Sequence, residues 1–164
     1  MRKFLLVVAL VCLCAATVAA QNEGRVSNGW ACAKPDKMTS IDVGDEPGHS
    51  YAISQFKCTS TKGEWAGVRE KEGTATEFEE IKGGKLTGHG IFLETFANGD
   101  TAKFSYQPSG TVKDGKVGTL ADKWQFVSGT GKLKGTKASG NCTGNGNPDG
   151  GSMLSCTGTY TLAK

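Results

Sequence analysis

The sequence predicts an all-β protein, an antiparallel barrel of about eight strands, with a two-sheet sandwich as the alternative. Three observations predict it. The C-terminal stretch alternates strictly, Asn98-Gly99 is the strongest short-range hairpin signal, and 24 glycines are spread between short alternating segments. No segment carries a 3.6-residue apolar period long enough for a helix. The low content of large aliphatics would raise disorder, but the near-neutral charge and the interleaved aromatics argue against it.

The chain opens with a stretch that reads as an export signal. Arg2 and Lys3 precede an apolar run over residues 4–16, and Thr17-Val18-Ala19-Ala20 supplies small residues for cleavage before Gln21. The run is shorter than the about 20 apolar residues a spanning helix needs. Val11 and Leu13 precede Cys12 and Cys14, which argues against a lipid-attachment cysteine. The expected organisation is therefore a signal peptide over 1–20 and one barrel domain over 21–164. Its expected location is secreted or periplasmic, with no integral membrane insertion after cleavage. Loss of Arg2 and Lys3 lowers the net charge from +3 to +1. A near-neutral domain lacks the basic field that captures nucleic acid, so that partner class is excluded.

Strands are expected over 28–33, 50–60, 74–82 and 121–128, with a weaker one over 65–71. Between them, a hairpin centred on Asn98-Gly99 with a two-residue loop pairs Leu93 with Phe104, Ile91 with Tyr106 and Thr95 with Ala102. That register turns these residues inward, places Glu94 opposite Lys103 outside, and leaves Phe92 and Phe96 facing outward. Two outward aromatics form a candidate interface, covered by the N-terminal segment or by a second copy in a homo-oligomer. At the C-terminus, Leu154, Cys156, Gly158, Tyr160 and Leu162 share one face and threonines and serine the other. Setting Cys142 opposite Cys156 pairs Gly140 with Gly158 and Ala138 with Tyr160, and both strands then sort inside from outside in one register. The expected disulfides are Cys142–Cys156 and, from the remaining pair, Cys32–Cys58.

The run Trp124-Gln125-Phe126-Val127-Ser128-Gly129-Thr130-Gly131-Lys132-Leu133-Lys134-Gly135, a strand ending in a Gly-Thr-Gly turn before a glycine-rich strand, resembles the allene oxide cyclase and dirigent barrel group. Together with Asn98-Gly99-Asp100, Pro47-Gly48-His49-Ser50 and Gly158-Thr159-Tyr160, it resembles more closely a set of small secreted bacterial proteins thought to share that barrel. The likeness covers about residues 45–164 and implies an eight-stranded barrel, often oligomeric in the plant enzymes. No catalytic residue of those enzymes matches a position here, and the two cysteine pairs depart from their pattern.

Candidate chemistry is sparse. Gly129-Thr130-Gly131-Lys132 joins two strands and lacks Walker spacing, so it reads as a β-turn. His49 and His89 are too few for a zinc site, and no metal or cofactor is expected. His49, at a strand entry near the expected barrel mouth, reads as structural in preference to a general base. Glu77 and Glu79 alternate to one face, expected to be the solvated one, with Glu80 beside them. No Gly-x-Ser-x-Gly elbow or free mature cysteine offers a nucleophile. Asn141-Cys142-Thr143 fits a glycosylation sequon but carries a bridged cysteine. Gly63-Glu64-Trp65 fits the glycine-x-tryptophan element of lipocalins, with nothing else of that family following.

The inward aromatics Tyr51, Phe104, Tyr106, Trp124 and Phe126 are the candidate lining of an interior site for a small apolar ligand, or else core filling. The function expected is non-enzymatic binding of such a ligand or of a protein partner. The alternatives are a cyclase- or isomerase-like enzyme using the cavity, which rests on fold resemblance alone, and an oligomeric envelope component.

Overall fold

The computed structural model describes residues 23–163; the expected signal, residues 1–20, lies outside them. Ten strands form in chain order: β1 (Glu23–Cys32), β2 (Lys37–Asp42), β3 (Ser50–Lys62), β4 (Glu64–Trp65), β5 (Val68–Lys82), β6 (Lys85–Phe96), β7 (Thr101–Lys113), β8 (Lys116–Gly129), β9 (Lys137–Gly146) and β10 (Ser152–Thr161). Eight of them close into an antiparallel barrel in the circuit β1-β10-β9-β8-β7-β6-β5-β3 and back to β1. Closure pairs the strand edges that an open sheet would expose. β2 continues β1 along the same edge of β3, opposite residues 50–55, and is exposed throughout.

Cysteine geometry follows the pairing. Cys142 stands opposite Cys156, with Gly140 against Gly158 and Ala138 against Tyr160, and Cys32 stands opposite Cys58. Both pairs are bridged across neighbouring strands. All four cysteines are buried, which fixes the even-numbered positions of β1, β3, β9 and β10 as interior.

The same parity corrects Tyr51. It is 39% exposed, on the outer wall, stacked on Phe78 at 5.4 Å. Ala52 and Ser54 take the inward places in β3, because Tyr51 lies an odd number of residues from Cys58.

The β6–β7 hairpin corrects Phe92 and Phe96. Thr95 pairs with Thr101, Glu94 with Ala102, Leu93 with Lys103 and Phe92 with Phe104. The loop holds three residues instead of two. Gly99 N–H donates to Phe96 O at 3.0 Å, Phe96 N–H donates to Asp100 O at 2.9 Å, and Gly99 has a φ of 88°. This is a turn followed by a left-handed residue, which glycine adopts without a Cβ clash. One added loop residue shifts the register by one, so the β6 side chains change face while Ala102, Phe104 and Tyr106 of β7 stay inward as expected. Phe96 is 1% exposed and Phe92 packs against Trp30, so neither forms an outer interface; Leu93 is 55% exposed instead.

β5 corrects the glutamates. A bulge between Glu70 and Glu72 switches its phase, so that Val68 and Glu70 point inward before it and Gly73, Ala75, Glu77 and Glu79 after it. Glu77 and Glu79 are buried, and Phe78 faces outward. Small residues on the Glu77 face give the rings room: a Cβ at Gly73 would collide with Phe92.

Candidate ligand cavity

The interior is capped at one end by aromatic packing. β4 and β5 are joined by Ala66-Gly67, both at positive φ (50° and 76°), a tight turn that folds Trp65 back into the barrel. Its ring stacks on Tyr160 at 5.4 Å and lies 5.6 Å from Phe104 and 5.9 Å from Trp124. The Gly-Thr-Gly link, a β-strand connection as the sequence indicates, makes one 3-10 turn (Gly131–Leu133) that drives Leu133 fully inside. Thr101 N–H donates to Thr130 Oγ1 at 2.8 Å and holds that link on the hairpin.

Beneath the cap lies a cavity of about 110 Å³. Phe104, Tyr106 and Trp124, three of the five aromatics named from the sequence, line it, and Phe126 packs behind Phe104 at 5.5 Å without reaching it. Tyr51 takes no part. Trp30, Phe56, Trp65 and Phe92 complete the aromatic lining. Sequence reasoning passed over Trp30 and Trp65. The even parity set by Cys32 marks Trp30 as interior, while Trp65 is betrayed only by the Ala66-Gly67 turn.

The acidic side chains are the larger omission. Glu77, Glu79, Glu94 and Asp122 line the cavity, and no Lys, Arg or His lines it among the described residues. Tyr106 O–H donates to Glu77 Oε2 at 2.7 Å. Burial pushes the Glu77 carboxyl up to about 8, reinforced by the neighbouring Glu79. Burial also raises Glu79, and lifts Asp122 to about 6. The Tyr106 hydroxyl is raised as well, by burial and then by Glu77. Removing water disfavours the ionised form of each, and among the described residues no cation on the lining offsets it. At the capped end, Glu70 Oε1 accepts from Asn28 Nδ2 at 2.6 Å and from Trp65 Nε1 at 2.7 Å. Burial outweighs these two bonds and holds Glu70 at about 7. Glu94, 3% exposed, is raised well above the carboxylate range by burial and then by Glu70.

Three buried polar atoms on the cavity lining have no partner: Glu94 Oε1, Asn28 Oδ1 and Trp124 Nε1. Among the described residues, no three His, Cys, Asp or Glu side chains converge as metal ligands.

His49 sits apart, at the rim. Its Nδ1 is 2.7 Å from Asp45 and its Nε2 2.9 Å from Glu80. Hydrogen bonding to Asp45, then to Glu80, raises the ring above its ordinary value. With both nitrogens engaged, the ring pins the segment before β3 and offers no free base. His89 is exposed on the outer wall against Phe78.

Among the described residues no helix is long and apolar enough to cross a membrane. No family model matches the chain, and no curated protein matches it. Among solved structures it is similar to the pterocarpan synthase dirigent protein PsPTS1, with a TM-score of 0.51 and 11% identity over 87% of this chain and 96% of that one. It is also similar to the pterocarpan synthase dirigent protein GePTS1, with a TM-score of 0.47 and 13% identity over 92% and 96%. At such identities the likeness to the first establishes a dirigent-type barrel fold and carries no activity with it.

Proposed function

We propose that the barrel binds a small, mainly apolar molecule in its interior, as a non-enzymatic protein acting outside the cytoplasm. The observation that carries this is the cavity itself. A closed, disulfide-bridged barrel keeps about 110 Å³ free beneath an aromatic cap, and three of its lining residues carry buried polar atoms without partners. Packed interiors leave few such voids and satisfy nearly all buried polar groups. The space is smaller than the about 150 Å³ cavity that admits benzene, so it fits a compound of about five heavy atoms or one group of a larger one. Export is supported by the leader pattern of residues 1–20 and by two disulfides, which persist in oxidising compartments. A thermal-shift screen of the 21–164 protein against small lipophilic compounds tests the reading. Saturable stabilisation by members of the panel is expected, and a flat response across it would overturn the proposal.

A second reading, an isomerase-like enzyme, is favoured by one observation: the Glu77–Tyr106 pair, a carboxylic acid that keeps its proton near neutral pH on the cavity wall. Product analysis separates the two. A binding protein returns a bound compound unchanged, whereas an enzyme returns an isomer of equal mass and loses that conversion in Glu77→Gln.

A further inference from the structure

The cavity is one-sided in its charge: its carboxyls have no basic counterpart on the lining among the described residues, and its one unpartnered donor is the neutral Trp124 Nε1–H. Glu94 is nine-tenths and more buried, lines the cavity, and leaves Oε1 without a hydrogen-bond donor. Asn28 uses its Nδ2 on Glu70, which fixes its amide orientation and leaves Oδ1 as a bare acceptor on β1, across the lining from Glu94 on β6, with Glu70 of the intervening β5 close to both. Trp30, Phe92, Phe104 and Trp65 bound this region, with Trp30 and Phe92 edge to face at 5.0 Å and Trp65 and Phe104 at 5.6 Å. Buried acceptors without donors are costly, and no basic side chain of this chain reaches them among the described residues.

We propose that the cavity selects a small organic cation, an alkylammonium whose N–H groups donate to Glu94 Oε1 and Asn28 Oδ1 while its apolar body lies among the aromatic rings. This rests on the interior-binding reading above and names the chemical class of its ligand. Three features of the site converge on it. An ammonium supplies several donors and no acceptor, which matches two orphan acceptors. Aromatic rings around a desolvated cation add electrostatic attraction. A carboxyl that burial keeps neutral while the site is empty becomes a counterion when a cation enters, so ligand binding and proton release are linked. A neutral alcohol gains less, because its single donor satisfies one acceptor and brings no charge. An anion would face Glu94, Glu77, Glu79 and Asp122 with only the neutral Trp124 Nε1–H to donate to it and no positive charge to balance it on the lining among the described residues.

The test uses three probes of one shape on the 21–164 protein at pH 7: n-butylammonium, n-butanol and butyrate, each titrated by calorimetry and by NMR shifts of the tryptophan indoles. We expect n-butylammonium to bind at least tenfold more tightly than n-butanol, and butyrate not to bind. In Glu94→Gln the preference for the ammonium should fall to twofold or less. Titration of the unmutated protein in two buffers of different ionisation enthalpy should show protons released on ammonium binding and none on butanol binding, a readout independent of any variant's folding. Equal binding of the ammonium and the alcohol, or a tighter alcohol, overturns the cation inference and leaves the interior-binding reading standing. No binding by any of the three also overturns it; joined to a flat lipophilic screen, that result removes both.

Discussion

The two ends of β5 differ in what they ask of the fold. At the Glu70 end the interior is filled: Trp65, Leu133 and Phe96 are almost wholly buried, and Glu70 receives two hydrogen bonds. At the Glu77–Glu79 end, glutamates share the interior with the buried Leu86, Ala52 and Ser54 are the inward neighbours from β3, and a tyrosine supports one carboxyl. The capped end holds the barrel together by packing. The acidic end gives up stability at neutral pH for polar groups on a cavity wall, the trade-off expected where a site outranks a core.

Breaking the comparison starts with the register that builds the cap. Phe92→Asp puts an unpaired charge inside the barrel and should cost about 4 kcal/mol or abolish folding, measured by urea unfolding. Trp65→Ala empties the cap and should cost about 3–5 kcal/mol in the same assay. Replacing Cys142 and Cys156 together by serine should cost about 3 kcal/mol in the chain-entropy account, read as a lowered midpoint in non-reducing denaturant.

The acidic end predicts the opposite sign. The folded chain keeps protons on Glu77, Glu79, Glu94 and Asp122, and on Glu70 at the other end, that the unfolded chain releases near its ordinary carboxylate values. Bound protons in the native state exceed those in the unfolded state from about pH 4.5 to about 8, so stability falls as pH rises through that window. His49, also raised, adds stability below its unfolded value that disappears at higher pH, in the same direction. The melting temperature should therefore drop from pH 5 to pH 9. Glu77→Gln should recover roughly 1–3 kcal/mol at pH 9 and little at pH 5. Leu93→Asp, beside Phe92 but on the outer wall, should change stability by about 0.5 kcal/mol or less. A large loss there with a small one at Phe92 would restore the two-residue loop and the opposite register.

Much of this fold was legible in the residues, for a local reason. Cys142 and Cys156 with their flanking glycines give one register that sorts both strands, and Trp124 and Phe104 follow from the alternation around them. An inward Tyr51 contradicts a parity that Cys58 already sets, whereas the strand-phase errors come from single-residue insertions. A three-residue loop at Ala97-Asn98-Gly99 and a bulge before Glu72 each move a strand by one place, and two-residue periodicity cannot show where its phase changes. The acidic wall was hidden for a second reason: carboxylates are assigned to water by default, and only closure of the barrel around Gly73 and Ala75 turns Glu77 and Glu79 inward.

Carbon-13 NMR of the side-chain carboxyls, titrated from pH 4 to pH 10 with Glu77→Gln as the assignment control, addresses the buried acid most directly. The structure predicts that the Glu77 resonance moves with a midpoint near 8 in the empty protein. A midpoint below 5 would mean that this carboxyl stands in water, and the acidic cavity would be gone.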